Sequence, residues 1–360
     1  MHYQSNIILH LSLIDHIGPV LINHIVEHFS YERCIELYSM NIHELMQACS
    51  ITRHQAQLIH DGLKNTDILH NELESCNKHA IYWTTRYEET YPSNLHSLYT
   101  PPAIIYWQGK NPATLSKAVS FIGSRQANWY AKEVMRFLIP PLVKEGYSIV
   151  SGGAIGADTM AHHEALKSLG NTIAILGSGL LKPYPKQNER LFKEIIEKGG
   201  CVISPFPVNT SPLPGNFPAR NRLIAGLSQA VIIVQAAKKS GTLITAQFAL
   251  DQGINIGVVP GLITDPLSSG CHDLIKQGAS IITCSDDIFM MLGYSSLKTK
   301  PAEIVEKIDP LIVACSQPKT IDDLITETAL SPLDLQEKLI CLQIEGKLHQ
   351  DFLGRWKRSN

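Results

Sequence analysis

Apolar positions near the start of the chain recur with a helical period. Val20, Ile22, Ile25 and Phe29 fall at near-helical spacing, and Pro19 stands where a helix would begin after a turn. The pattern predicts an all-helical region over residues 1–70. A helical hairpin of this kind can bind a DNA backbone through its glycine turn and a helix N-terminus. A domain that only packs against the rest of the chain fits the same pattern, so both interpretations stay open.

From Ala118 onward, short apolar runs alternate with amphipathic segments. Ala157, Ala161, Ala165 and Leu169, for example, share one face of a predicted helix. Strands that alternate with helices form βαβ units and a mostly parallel sheet with both faces covered. We therefore expect an α/β fold in the middle of the chain, over residues 71–293. Seven runs are the strand candidates: Val119–Ile122, Ser148–Val150, Thr172–Leu176, Cys201–Ile203, Ala230–Val234, Asn255–Val259 and Ser280–Thr283.

The end of the chain has a third pattern. After a polar linker at residues 294–309, residues 310–356 read as three short helices followed by a β-hairpin, the order of a winged-helix domain. Ser331 precedes the third helix, Gly346 ends it, and Leu348–Trp356 suits the wing. A helix that reads a DNA groove needs basic residues, yet Lys338 stands there among acidic and amide side chains. A protein contact or a structural role is at least as compatible with this domain.

Composition and charge narrow the class of protein. The net charge of −2 argues against a broadly basic coat protein for nucleic acid, but it does not exclude a local basic site. The longest apolar runs are too short to insert into a membrane, and the N-terminus lacks the basic region of a signal peptide. The eight cysteines are scattered without a C-x-x-C pair, as expected for reduced thiols in the cytoplasm.

Four glycine-rich turns follow predicted strands. Ligands of open parallel sheets bind beyond the carboxyl ends of the strands, where glycine lets the backbone approach and helix N–H groups favour phosphate. The sequence therefore predicts a phosphate-binding rim, although Gly177 and Gly179 are explained equally well by tight turns. The spacing matches neither the dinucleotide fingerprint nor the P-loop, so we expect no NAD, no ATP and no other cofactor. The predicted rim residues are Gly123, Ser124, Arg125, Gly152, Gly153, Ser240, Gly241 and Thr242.

A cluster of cations beside an aromatic residue indicates the kind of anion. Phe217 precedes Arg220, Asn221 and Arg222, and such a group suits single-stranded nucleic acid, because guanidinium pairs with phosphate and a ring stacks on a base. In the alternative interpretation Phe217 belongs to the core and one arginine forms an internal salt bridge. Further cations and an aromatic ring expected at the same edge are Lys182, Tyr184, Lys186, Lys238 and Lys239.

Several long segments together resemble the DprA/Smf family. They are SGGAIGADTMAHHEAL, TIAILGSGLLKPYPKQN, FPARNRLIAGLS, KKSGTLITAQFALDQG, and VVPG followed by SSGCHDLIKQGA. The resemblance is close over residues 75–293 and looser in the helical head, which would be a SAM-like domain, and in the winged-helix tail. The segment Pro205–Pro207 departs from the family, whose members usually carry an acidic residue there.

The resemblance implies a Rossmann-like core without catalytic activity. Such a protein binds single-stranded DNA in a basic pocket, protects the incoming DNA, forms a homodimer and loads RecA in natural transformation and homologous recombination. In this sequence Arg125 would contact phosphate, and Phe217, Arg220 and Asn221 would join the turn Ser240–Thr242 in the DNA site. The surface for self-association and RecA would lie near Ser269–Gly278. Its expected residues are Cys271, Leu274 and Ile275.

Three other functions compete with this one. The core also resembles nucleotide phosphoribohydrolases of the LOG type, but Leu243, Ile244 and Thr245 follow the turn where those enzymes carry a glutamate, so an acid–base group is lacking. Asp158, His162 and His163 suggest a metal site, because Asp158 and His162 are four apart on one predicted helix, yet a third ligand of suitable spacing is not evident. Asp158 is better explained by bonds to backbone N–H groups in the first helical turn. A winged-helix interaction scaffold without DNA binding is the third alternative.

Overall fold

The computed structural model describes residues 3–294, 310–315, 317–328, 330–344, 347–351 and 354–358. It divides the chain into two compact units, one within Met1–Ser295 and one within Ser296–Asn360. The linker expected at 294–309 lies outside the described residues except for its first residue, and Gly346 lies outside them as well.

The first unit begins with helices whose ends are set by local capping. Helix α2 begins at Pro19, and α3 and α4 begin with capping boxes in which Asn41 and Thr52 accept backbone N–H groups. The expected boundary at residue 70 falls inside α5. In that helix the buried Glu72 carboxylate accepts the Val208 N–H at 2.8 Å, so α5 is tied to the loop that follows β6. The helices are α1 Tyr3–Ser12, α2 Pro19–Phe29, α3 Ile42–Cys49, α4 Arg53–Lys64 and α5 Thr66–Lys78.

A nine-stranded sheet forms the centre of this unit, in the order β1-β2-β6-β5-β4-β3-β7-β8-β9. All seven expected strands are present as β3–β9, and they pair in parallel, which confirms the α/β prediction. The two further strands, β1 and β2, are antiparallel and were not expected. The strands are β1 Tyr82–Thr85, β2 Ile104–Gly109, β3 Ala118–Ile122, β4 Ser148–Ser151, β5 Thr172–Ile175, β6 Cys201–Ser204, β7 Ala230–Ile233, β8 Asn255–Val258 and β9 Ser280–Ile281.

Side chains along each central strand alternate between two apolar layers. Phe121 and Ile232 pack into one layer, whereas their neighbours Ile122 and Ile233 pack into the layer on the opposite face. Both layers are buried under helices, which is why these strands read as continuous apolar runs. The covering helices are α6 Trp129–Lys144, α7 Ala157–Lys167, α8 Glu189–Glu197, α9 Asn216–Gly226, α10 Thr242–Asp251, α11 Ser269–Lys276 and α12 Ser285–Met291.

The strand order places a topological switch between β3 and β7. From β3 the chain builds β4, β5 and β6 on one side, and it then returns to add β7, β8 and β9 on the other side. The loops that leave β3 and β7 therefore diverge to opposite faces of the sheet. Such a divergence opens a crevice at the carboxyl ends of the two strands.

The described residues of the second unit form three helices and a two-stranded antiparallel sheet. Its core contains Leu324, Leu335, Leu339 and Trp356, and Lys319 forms an isolated bridge with Trp356. This is the element order of a winged helix, an assignment that stays a prediction. Its elements are α13 Pro310–Ala314, α14 Ile321–Thr328, α15 Pro332–Ile344, β10 Leu348–Gln350 and β11 Trp356–Arg358. Among the described helices of the whole chain, none combines the length and apolar character that crossing a bilayer would require.

Candidate functional site

A cleft of about 470 Å³ opens at the switch between β3 and β7. Its walls come from the loop after β3, the start of α7, the first turns of α9 and the turn that begins α10. Nine of the residues expected in the site lie together there: Gly123, Ser124, Arg125, Phe217, Arg220, Asn221, Ser240, Gly241 and Thr242.

The loop after β3 is held in place by its backbone. The Ser124 N–H donates to the Gln235 carbonyl at 2.7 Å, and the Ser124 carbonyl accepts the Ala157 N–H at 3.1 Å. A Cβ at Gly123 would lie 2.8 Å from the Ala157 Cβ, so glycine is required by this close approach. The fixed loop leaves the next side chain, Arg125, exposed at the cleft.

Arg125 stands beside two aromatic rings. Its guanidinium carbon is 5.8 Å from the centroid of the Phe217 ring. The Phe217 ring in turn lies 5.6 Å, centroid to centroid, from the ring of Tyr184, which is 43% exposed. A Cβ at Gly177 would be 2.7 Å from the Phe217 Cδ1, so this glycine makes room for the ring. A cation next to half-exposed rings can contact a phosphate and stack on its base together.

Arg220 has a different environment from Arg125. Its side chain is buried, and its Nη1 donates to the carbonyls of Gly152 and Ile175 at the ends of β4 and β5. Burial lowers the pKa of Arg220 to about 10, so it stays charged at neutral pH. The structure thus uses Arg220 to tie two strand ends together. Arg220 is thus internal, but through hydrogen bonds to backbone carbonyls and not through the salt bridge of the alternative interpretation.

The Asp158 carboxylate reaches the same cleft from the first turn of α7. Its Oδ2 accepts the Ala154 N–H at 3.2 Å, the local backbone contact that its position suggested. Burial raises the pKa of Asp158, while the positive charge of Arg220 opposes that rise. Asp158 thus binds the backbone of the loop before α7 and places a carboxylate near the buried Arg220 guanidinium.

Other expected rim residues lie outside the lining of this cleft. Gly152 and Gly153 are buried, and a Cβ at Gly153 would lie 2.8 Å from the Phe192 ring, so packing accounts for them. Arg222 is half-buried beside Tyr91, and burial lowers its pKa. The exposed lysines are not part of the lining either, although two of them precede Ser240 directly; they are Lys182, Lys186, Lys238 and Lys239.

Some lining residues were not expected from the sequence. Gln126 follows Arg125 in the same loop, and Ile244 lies in the first turn of α10. Both residues are close in sequence to residues that were expected in the site, Arg125 and Thr242, so the sequence could have indicated them. Leu267, from the loop after β8, carries no comparable signal, since only the fold brings this loop to the cleft.

His162, one of the residues that suggested a metal site, forms an internal hydrogen bond instead. The buried Thr172 hydroxyl donates to the Ile149 carbonyl at 2.6 Å, so His162 Nδ1, 2.7 Å away, is the donor to that hydroxyl. Burial lowers the pKa of His162 to about 3, which keeps the ring neutral. Within the described part of the chain, no group of three His, Cys, Asp or Glu residues is arranged to hold a metal ion.

The expected association surface is partly internal. Cys271 is fully buried, with its Sγ 3.9 Å from the Val234 carbonyl oxygen, so it contacts the chain's own core instead of a partner. Leu274 and Ile275 are half-buried and pack against the same apolar layer. These two residues therefore stay the candidates for an apolar contact.

The fold defines an α/β protein with a mostly parallel, Rossmann-like sheet and a cleft at its topological switch. The model of the family described as DNA recombination-mediator protein A matches residues 82–293, and the chain belongs to this family of DNA-processing proteins, DprA/Smf. Protein Smf of Escherichia coli K12 is 35% identical over 286 residues, which cover 76% of each chain.

Two solved structures of the family are similar to this one. DNA processing protein A of Streptococcus pneumoniae superposes with a TM-score of 0.68 at 29% identity, covering 79% of this chain and 97% of that one. For the Helicobacter pylori protein the TM-score is 0.54 at 31% identity, with 60% of this chain and 97% of that one covered. The Helicobacter structure is described as showing a single-stranded DNA binding mode.

Proposed function

We propose that this chain binds single-stranded DNA in the cleft between β3 and β7, with little preference for sequence and without catalysis. The observation that carries the proposal is the exposed Arg125 guanidinium beside the half-exposed rings of Phe217 and Tyr184. Phosphate contacts provide affinity and stacking tolerates any base, so this pairing suits a single strand. The binding mode described for the Helicobacter relative supports the same ligand.

The turn before α10 supplies the second contact for the DNA backbone. Gly241 is exposed, a Cβ added there would meet nothing within 4 Å, and Thr242 begins the helix. The N–H groups of Thr242 and Leu243 already donate to Ser240, so what the helix start offers an anion is the positive end of its dipole. The open glycine lets a phosphate approach that end closely. Lys238 and Lys239 precede this turn and would add positive charge on its outer side.

The experiment is a fluorescence-anisotropy titration of labelled single- and double-stranded oligonucleotides at two salt concentrations. We expect tighter binding of the single strand, with an affinity that falls by about 0.7 log units per phosphate contact for each log unit of salt. Binding that ignores salt would contradict the proposed cleft contacts. Failure to bind DNA, together with binding of nucleoside monophosphates, would favour the phosphoribohydrolase alternative instead.

We further propose that the protein acts in the cytoplasm as a homodimer and loads RecA onto the bound strand during natural transformation or recombination. Family membership supports this role, and the absence of disulfide bonds among the eight cysteines is consistent with a reducing compartment. Leu274 and Ile275 are the proposed apolar contacts. Changing both to glutamate should give monomers that bind DNA more weakly through lost avidity. An unchanged mass in light scattering would rule out this dimer surface.

A further inference from the structure

The exposed face of α6 carries an aromatic residue followed by two cations. Trp129, the first residue of the helix, is 74% exposed. Lys132 and Arg136 are also exposed and lie three and seven residues further on, so they share a face of the helix with Trp129. Glu133 lies on that face too, which leaves two positive charges and one negative charge beside the indole.

The start of α6 is fixed to the loop that carries Arg125. Asn128 Oδ1 accepts both the Tyr130 N–H at 3.0 Å and the Gln235 side-chain amide at 3.1 Å. The backbone carbonyl of the same Gln235 accepts the Ser124 N–H at 2.7 Å. One glutamine therefore holds the cleft loop and the cap of α6 together, which places Trp129 next to the cleft.

A second contact makes this position rigid. The Tyr130 hydroxyl donates to the Pro260 carbonyl at 2.6 Å, and the Trp129 ring meets the Tyr130 ring edge-on, with the centroids 6.3 Å apart. Trp129 lies three positions after Gln126, which lines the cleft. The Cα atoms of the two residues are therefore at most about 11 Å apart. A strand that passes Arg125 on its way out of the cleft would reach the indole next.

We propose that Trp129, Lys132 and Arg136 form an exit platform on which the nucleotides beyond the cleft are bound. This inference rests on the proposed binding of single-stranded DNA. An exposed indole is a stacking surface for a base, and the two cations that follow match the phosphates of the same strand. The platform extends about 10 Å along the helix, enough for about three stacked nucleotides. Continuity with Arg125 and the excess of positive charge favour a nucleic-acid strand over an apolar protein partner.

The test compares oligothymidylates of about 6 and about 20 nucleotides, titrated against the full chain by anisotropy. Trp129→Ala should weaken binding of the long oligonucleotide roughly 5- to 100-fold and leave the short one unchanged. Trp129→Phe should recover most of the loss, because a smaller ring still stacks. Phe137→Ala is the matched control, since Phe137 is 62% exposed on the same helix but lies two turns further along; it should bind both lengths as the wild type does.

Intrinsic fluorescence gives an independent readout. Of the other tryptophans, Trp107 and Trp356 are buried and Trp83 is half-buried, so quenching by the long oligonucleotide should come mainly from Trp129 and disappear in Trp129→Phe. Wild-type affinity of Trp129→Ala for both lengths would overturn the platform. If Trp129→Ala keeps its DNA affinity but loses mass in light scattering, the face is a protein contact and the proposal is wrong. Failure of the wild type to bind the short oligonucleotide would instead contradict the proposed function of the cleft.

Discussion

Arg125 and Arg220 both border the cleft, yet their guanidinium groups have different surroundings. Arg125 is exposed beside Phe217, in a region we call the open half, made of Arg125, Phe217 and residues 240–242. Arg220 is buried among backbone carbonyls near Asp158, in a region we call the closed half. It is made of Asp158 and Arg220 in the cleft wall and of the buried Gly152 and Gly153, which lie outside the lining. Glycine and arginine thus occur in both halves, but in the open half they are available to a ligand and in the closed half they hold strand ends together.

Mutations in the two halves should have different effects. A change at Arg125, Phe217 or Gly241 in the open half should alter DNA affinity and leave the folded state almost as stable, because these residues are exposed or half-exposed. A change in the closed half should lower stability first, since each group there satisfies or fills a buried position. Four measurements test this division.

The largest effect is expected for Arg220→Ala. The substitution leaves two buried carbonyls without their donor and the buried Asp158 without its positive neighbour. Removal of one partner from a buried charged arrangement costs about 3–5 kcal/mol of unfolding free energy, measurable by urea denaturation. The matched control, Arg125→Ala, should stay within about 0.5 kcal/mol of the wild type. If Arg220→Ala is as stable as the wild type but binds DNA poorly, Arg220 contacts DNA and belongs to the open half.

Phe217→Ala should act on binding. Loss of one stacking contact weakens affinity for single-stranded DNA by about 1–3 kcal/mol, measured by anisotropy, while circular dichroism still shows a folded protein. Tyr184→Ala, which removes the adjacent ring, should weaken binding less. If Phe217→Ala unfolds, the contact with Gly177 is the main role of the ring, and Phe217 belongs to the core.

Substitution of one glycine in each half tests whether the backbone of the two halves differs in the same way. Gly153 has φ +67° and faces the Phe192 ring, so Gly153→Ala should lower stability by about 1–2 kcal/mol in thermal unfolding. Gly241 is free of both constraints, so Gly241→Ala should melt like the wild type. Its added methyl group should still reduce DNA affinity, because it stands where a phosphate would approach. Equal melting temperatures for the two variants would be inconsistent with the division.

The one effect expected to vanish at neutral pH concerns acid stability at His162, in helix α7. The pKa of His162 is lowered to about 3 in the folded protein from an ordinary value of 6.5, because burial disfavours the charged ring. Below pH 6.5 the unfolded chain takes up this proton and the folded chain does not, so the contribution of His162 to stability is present above pH 6.5 and is lost as the pH falls towards 3. The loss is about 1.4 kcal/mol per pH unit. His162→Gln should show a correspondingly shallower decline in urea titrations between pH 6 and about 4. An identical slope in the variant would mean that His162 is not the titrating group.

The sequence was sufficient for the central fold because of how parallel sheets are buried. Strands covered on both faces, such as Ala230–Ile233, form continuous apolar runs that stand out between amphipathic helices. Strand β2 was not among the expected strands although Ile104–Trp107 is equally apolar, and Pro101 and Pro102 stand shortly before it. Its pairing with β6 is antiparallel and non-local, and no local pattern specifies such a partner.

For the site, the sequence determined which residue types lie at the carboxyl ends of the strands, since a glycine turn after a strand is a local feature. It also determined the family, because several long motifs occur in order. The tertiary structure alone decided that Arg125 faces the cleft while Arg220 turns to the carbonyls of Gly152 and Ile175. The direction of a side chain depends on which distant atoms surround it. The burial that separates these two arginines arises only when β3, β4, β5 and β7 have come together in the sheet.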